Sequence, residues 1–226
     1  MSGRDTDRHQ CVLDLETTGL DRALHVPVEI AYWDLTTGER GCFVPSHSPD
    51  DILAAEPVAL EINGYWNRGL DNPNRWDDGT KLRELHAVLA GSELVGANPA
   101  FDTALLSRQF REHDLDPEPW HHRMWDVEVL AAGKLTLPKV PGLREVCQLL
   151  DLTPGDHTAT GDVTATGRAF MALQSMPGRV ILDPASAEDA ERLARIALRI
   201  PAGTRLQKRE RVAGRTMLRQ LAEGAA

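Results

Sequence analysis

Three short apolar segments near the N-terminus, separated by turn signals, restrict the fold more than any other feature of this sequence. They occupy residues 10–15, 27–35 and 39–44, and the second is rich in apolar and aromatic residues. The break at residues 36–39 predicts a tight hairpin between the second and third segments. We therefore expect a first strand followed by two neighbouring antiparallel strands.

Strand-like and helix-like segments then alternate after a long irregular connection over residues 45–79. The predicted elements are a helix over 80–90 with Thr80 as its N-cap, a strand over 93–97, a helix over 101–113, a strand over 123–127 that runs into a helix through 132, and helices over 143–150 and 160–174. This order predicts an α/β fold of the mixed type, with helices on both faces of a central sheet.

The composition narrows the class of protein. The 226 residues, 42% of them hydrophobic, suffice for one sizeable core and a small appendage. The formal net charge of -9 argues against a protein that coats nucleic acid through a broad basic surface. This net charge is still compatible with an enzyme that binds a few phosphates through metal ions. Three cysteines without a CxxC pair, a polar N-terminus and no spanning apolar run predict a cytoplasmic protein with no membrane partner.

Two carboxylates interrupt the first apolar segment, which reads CVLDLETTGL over residues 11–20. Residues two apart on a strand share a face, so Asp14 and Glu16 project together near the carboxyl end of the strand, where ligand crevices form in open α/β sheets. A buried carboxylate is costly unless something compensates it. Two interpretations stay open for this segment: acidic side chains on a solvated edge strand, or a cation site.

Two further acids and a histidine come later in the chain. Asp102 follows a predicted strand and begins a helix, and taken alone it is better explained as a helix-capping acid. His157 and Asp162 are five residues apart and would lie on different faces of one helix. We therefore place His157 on a loop and Asp162 in the first turns of the following helix. Taken alone, His157 is better explained as an exposed loop residue.

Taken together, the four acids indicate divalent cations. Hard cations such as Mg²⁺ prefer oxygen ligands, and two of them about 3.5–4 Å apart activate a water and stabilise the leaving oxygen in phosphoryl transfer. Four clustered carboxylates repel one another without metal. Histidine is the natural group to take a proton from the attacking water near neutral pH.

The motifs LDLETTGL, NPAFD and HTATGD, in this order, resemble the three exonuclease motifs of the DEDDh family, the DnaQ-like 3'→5' exonucleases of the ribonuclease H-like fold. The resemblance covers about residues 10–174. It is specific because three motifs agree in order and the histidine stands five residues before the last acid, as the h subtype requires. The implied domains are a DEDDh exonuclease domain over 1–176 and a helical, basic C-terminal extension over 177–226.

The resemblance implies roles for individual residues. Two Mg²⁺ or Mn²⁺ ions would be held by Asp14, Glu16, Asp102 and Asp162, with His157 as general base. Substrate-binding positions carried over from the family are Thr17, Thr18, Leu20, Ile62, Asn63, Asn98 and Phe101. Thr17 is expected near the 3'-hydroxyl through its main chain, and Leu20 against a base. Asn63 stands where the family usually has histidine, and Ala97 where many members have histidine, so substrate preference stays open.

The implied function is metal-dependent 3'→5' exonuclease hydrolysis of DNA or RNA, acting on a single-stranded 3' end and giving nucleoside 5'-monophosphates. Two alternatives remain: a proofreading-type module within a polymerase assembly, and a catalytically silent nucleic-acid-binding relative. The filled catalytic positions argue against the second. Residues 205–219 of the extension carry six basic residues and one acid. This segment is predicted to bind a protein partner, to contact a nucleic-acid backbone, or to be a solvated helix face.

Overall fold

The N-terminal half of the central sheet forms as the three apolar segments predict. A computed structural model of the chain describes residues 8–176, 207–208 and 211–216. In it, β1 (Gln10–Thr17) pairs antiparallel with β2 (Pro27–Asp34), and β2 pairs antiparallel with β3 (Arg40–Pro45). Seven of the eight β2 residues are buried, because this strand is central and both of its faces are covered.

Three short strands complete a six-stranded mixed sheet with the order β4-β3-β2-β1-β5-β6. β4 (Trp76–Asp77) runs parallel to β3, β5 (Glu93–Gly96) runs parallel to β1, and β6 (Trp125–Asp126) runs parallel to β5. The carboxyl ends of β1, β5 and β6 therefore meet at one edge of the sheet. The mixed α/β sheet of the ribonuclease H-like class is confirmed.

Seven α-helices accompany the sheet among described residues 8–176: α1 (Pro49–Leu53), α2 (Pro57–Ile62), α3 (Thr80–Leu89), α4 (Pro99–Glu112), α5 (Val127–Leu135), α6 (Leu143–Leu149) and α7 (Ala159–Ser175). Alternate β1 side chains enter different cores. Leu13 and Leu15 pack with leucines of α3 and α4, whereas Val12 packs with residues of α5, α6 and α7. By this alternation, Asp14 and Glu16 lie on the α7 side of β1.

Two sequence-based expectations need correction here. The irregular connection over 45–79 contributes β4 as well as short helices, and two residues are too few to show a strand period. Thr80 is the first residue of α3 rather than its N-cap, which is Gly79 in the left-handed region. The carboxylate of Asp77 instead accepts bonds from the main-chain N–H groups of Lys81 and Leu82 at 2.9 and 3.0 Å, because the chain crosses from β4 directly onto the helix start.

The chain divides into two compact units, residues 1–177 and 178–226. In the second unit, residues 208 and 211–216 are helical. The predicted helix over 186–200 lies outside the described residues. Within the described ranges, no helix has both the length and the apolar character that crossing a bilayer requires.

Candidate active site

Three carboxylates converge at the carboxyl end of β1. Asp14 and Glu16 come from the strand itself, and Asp162 comes from the first turn of α7, which packs against β1 and β2. One oxygen from each of the three lies within 4.8 Å of the others, and all three residues are half-buried. The i, i+2 spacing on β1 and the docking of α7 therefore create a compact oxygen-rich cluster.

Asp102 is not among the three residues of this cluster, but a main-chain hydrogen bond holds it beside them. The strand β5 pairs with β1 only as far as Val12, and beyond that point the N–H of Leu15 donates to Oδ1 of Asp102 at 3.0 Å. Asp102 lies in the first turn of α4 and is buried. Because Leu15 stands between Asp14 and Glu16, this bond holds the fourth carboxylate beside the other two.

Protein groups compensate only a small part of the negative charge that the four carboxylates would carry. Burial, followed by the negative charges of neighbouring acids, raises the pKa of Asp14 well above its ordinary range. Burial is also the largest cause of the raised pKa values of Glu16 and Asp102, both about 8. It raises the pKa of Asp162 as well. Such a cluster favours a cation, and an all-carboxylate donor set suits Mg²⁺ or Mn²⁺.

His157 lies on the loop immediately before α7, in the left-handed region at φ 60°, and is exposed. Burial raises the pKa of the Asp162 carboxyl, and the charge and the main chain of His157 act in the opposite direction. A Cβ built on Gly155 would overlap Oδ1 of Asp162, so the loop passes close to this acid only because residue 155 is glycine. The loop that carries His157 thus passes directly against Asp162 of the acid cluster.

The turn after β1 is held by hydrogen bonds of the side chains of Thr17 and Thr18. Thr18 accepts a hydrogen bond from the N–H of Val26 at 3.0 Å and lies 3.3 Å from Nδ1 of buried His25. Thr17 donates to the carbonyl of Gly19 at 2.9 Å. Leu20 is left 75% exposed at the tip of this turn. The turn therefore presents one apolar side chain from a firmly held backbone.

The remaining predicted substrate-binding residues lie at the end of α2 and at the start of α4. Ile62 is 53% exposed, but the neighbouring Asn63 is buried, donating to the carbonyl of Thr17 at 3.0 Å and accepting from the N–H of Tyr65 at 3.1 Å. Asn98 is the left-handed N-cap of α4, and Phe101 packs partly buried against the α3–α4 core. Asn63 is thus placed to support the β1 turn from beneath.

Sequence reasoning missed two charged residues beside the acids. Glu29 lies opposite Glu16 in the β1–β2 register, is buried, and pairs with the guanidinium of Arg68. A signal for Glu29 was present, since it is one of two acids inside the apolar segment 27–35, the other being Asp34. No pattern points to Arg68, which follows α2 in the irregular connection.

Comparison with known proteins gives a family match and a named relative. The model of the exonuclease family RNase_T matches residues 11–170, more than half of the chain. A protein named phosphoglycolate phosphatase from Methanococcoides burtonii is 27% identical over 161 residues, which are 66% of this chain and 68% of that protein.

Solved structures of exonuclease I share the fold. The zinc-bound E. coli ExoI–ssDNA complex has a TM-score of 0.60 and 20% identity, covering 74% of this chain and 40% of that one. The E. coli complex with a dT13 oligonucleotide has a TM-score of 0.58 and 21% identity, covering 74% and 41%. This chain thus spans about two fifths of the exonuclease I chains. On its family match and its fold, the chain belongs to the RNase_T exonuclease family, the DEDDh or DnaQ-like nucleases.

Proposed function

We propose that this protein is a metal-dependent 3'→5' exonuclease that removes nucleoside 5'-monophosphates from a single-stranded 3' end of DNA or RNA. The observation that carries the proposal is the carboxylate cluster at the end of β1, with one oxygen each of Asp14, Glu16 and Asp162 within 4.8 Å. Asp102 is held beside it by the Leu15 N–H. A nuclease of this fold needs such a donor set, and a protein that only bound nucleic acid would not.

The four acids are assigned as ligands of two Mg²⁺ or Mn²⁺ ions. Bound there, the ions would supply Lewis acidity and a nucleophile at neutral pH. His157 is assigned as the general base that accepts the proton of the attacking water, because it lies exposed on the loop whose Gly155 passes against Asp162.

Exposed apolar side chains are assigned to bind the terminal nucleotide of the substrate. Leu20 and Ile62 are largely exposed, unlike the buried leucines of the core, and they come from two segments joined by the Asn63–Thr17 hydrogen bond. Thr17 and Thr18 fix the main chain of the β1 turn, and Asn98 and Phe101 begin α4 beside Asp102. The complexes of exonuclease I with single-stranded DNA support a strand as the substrate.

Residues 177–226 are proposed to be a separate basic extension that binds a protein partner. The division of the chain at residues 177 and 178 supports this boundary. The described helical residues of the extension include Lys208, Arg211 and Arg215, in keeping with its basic character. Deleting 178–226 should leave hydrolysis of short oligonucleotides intact, since the acid cluster lies entirely within the first unit.

Digestion of 5'-labelled single-stranded DNA and RNA, with Mg²⁺, Mn²⁺ or EDTA, tests the proposal. A ladder that shortens from the 3' end, needs metal and releases mononucleotides is expected. A circular single strand should stay intact, because it has no 3' end. Cleavage of the circle would indicate an endonuclease. Hydrolysis of phosphoglycolate with both strands uncut would instead favour the activity named for the archaeal relative.

A further inference from the structure

Arg68 joins two parts of the molecule that carry different site residues. Its Nη1 donates to the carbonyl of Asn63 at 2.9 Å, where α2 ends, and its Nη2 pairs with Oε1 of Glu29 in the central sheet. Asn63 in turn holds the β1 turn through the carbonyl of Thr17 at 3.0 Å. One guanidinium therefore connects the end of α2 to β2 and, through Asn63, to the end of β1.

Glu29 extends the connection to the helix that carries the third acid. Its second oxygen, Oε2, accepts a hydrogen bond from the N–H of Ala159 at 2.8 Å. Ala159 is the first residue of α7, and Asp162 follows three residues later. The Arg68–Glu29 pair thus spans from α2 to the start of α7, with both carboxylate oxygens of Glu29 in use.

The pair lies next to the acid cluster. Glu29 is only 4% exposed and stands opposite Glu16 in the strand register. A buried carboxylate at this place is tolerated only when a cation and hydrogen bonds compensate it. Arg68 supplies that cation, and the N–H of Ala159 supplies one of the hydrogen bonds.

We propose that Arg68 is a positioning residue of the nuclease site, which through Glu29 and Asn63 fixes the separation between Glu16 on β1 and Asp162 on α7. This inference rests on the proposed function, because that separation matters only if the acids bind metal. A pair that merely stabilised the fold would not control metal affinity in protein that is already folded.

Calorimetric titration with Mn²⁺ alone, well below the Tm of each variant, tests this role without any nucleic acid. Arg68→Gln should raise the Mn²⁺ dissociation constant by about 10-fold or more, as loss of a supporting group around a metal site does. Glu29→Gln should weaken Mn²⁺ binding too, since it leaves Arg68 to pair with Glu16. Arg83→Gln is the matched control, because Arg83 also donates to a carbonyl, that of Gly79 at 3.0 Å, away from the acids.

Two further measurements keep the inference open to refutation. If Arg68→Gln does not fold, Arg68→Lys replaces it. The lysine ammonium keeps the positive charge but lacks the planar set of N–H donors with which the guanidinium reaches Asn63 and Glu29. We therefore expect the Mn²⁺ dissociation constant to rise by about 3-fold or more. With an oligonucleotide substrate, kcat should fall about 10- to 100-fold while KM changes less, the pattern expected of a misplaced site. Wild-type Mn²⁺ affinity in the folded variant would overturn the inference.

The outcomes separate this inference from the proposed function. Wild-type nuclease activity together with unchanged Mn²⁺ affinity in Arg68→Gln defeats the inference and leaves the function standing. Weakened Mn²⁺ binding in Arg68→Gln, with no cleavage of DNA or RNA by the wild type, supports the inference and defeats the function. A wild type that binds no Mn²⁺ defeats both.

Discussion

Asp14 experiences the repulsion of four other carboxylates, those of Asp102, Asp162, Glu16 and Glu29, on top of its burial. Asp14→Asn keeps the shape of the side chain and removes the carboxyl group that these four acids repel. We expect metal-free Tm to be equal to or above that of the wild type, and oligonucleotide cleavage to be lost. Thermal melts in EDTA and the digestion assay measure both effects.

The control for this substitution is Glu84→Gln, which neutralises an exposed acid paired with Lys81 on α3. It should leave both the metal-free Tm and the cleavage rate unchanged. If Asp14→Asn cleaved at the wild-type rate, Asp14 would not be a metal ligand.

His157 should affect turnover without affecting metal binding. Its side chain is exposed, and it is not among the three side chains whose ligand atoms lie within 4.8 Å of one another. We expect His157→Ala to lower kcat by about 10²- to 10⁴-fold, the range for loss of a general base, with an unchanged Mn²⁺ dissociation constant. The exposed His122→Ala serves as control. Full activity in His157→Ala would show that another group accepts the proton.

At the scale of elements, the approach of the 155–158 loop to α7 is the tightest constraint on the site. A Cβ at residue 155 would overlap Asp162, so Gly155→Ala should displace either the loop or the first turn of α7. We expect cleavage to fall about 10- to 100-fold, since misplacements of about 1 Å have effects of this size. Steady-state kinetics with a short oligonucleotide measure the change.

Gly133→Ala is the matched glycine substitution. Gly133 is an exposed residue inside α5, and a Cβ there meets nothing within 4 Å. This variant should keep wild-type cleavage and gain about 0.5–1 kcal/mol of stability, because alanine favours a helix interior over glycine. Equal activity losses in both variants would mean that the effect of Gly155→Ala is not local.

The elements also show how far a sequence determines such a site. The i, i+2 spacing of Asp14 and Glu16 was readable because strand periodicity is local, and the loop and helix placements of His157 and Asp162 follow from the same kind of rule. The Arg68–Glu29 pair joins residues 39 positions apart, and no local rule predicts such a contact. β4 was missed because two residues carry no period, and its existence depends on pairing with β3.

At the scale of the whole molecule, the change of strand direction beside β1 gathers the acids. β1 has an antiparallel neighbour on one side and a parallel neighbour on the other. Asp102 reaches the cluster from α4, directly after β5, and Asp162 reaches it from α7. Ligand sites of open α/β sheets form at such carboxyl ends of strands. The fold thus concentrates negative charge at one edge, and its stability becomes linked to pH.

The metal-free protein should lose stability as pH rises. The unfolded chain releases the Glu16 proton near the ordinary pKa of 4.5, whereas the folded protein keeps it until about 8. Between these values the folded state holds more protons, so the free energy of unfolding falls with rising pH. Asp14, Asp102 and Asp162 shift in the same direction. Melts in EDTA should give a lower Tm at about pH 8 than at about pH 5, and Mg²⁺ should raise Tm more at the higher pH.

The most direct test of the central claim, that the acid cluster is a divalent-metal site, is calorimetric titration of Mn²⁺ at neutral pH in two buffers of different ionisation enthalpy. Because raised pKa values leave protons on the cluster, binding should release protons, and the apparent heat should differ between the buffers. Asp14→Asn should bind far more weakly. Absence of Mn²⁺ binding in the wild type, or binding unchanged by Asp14→Asn, would contradict the account.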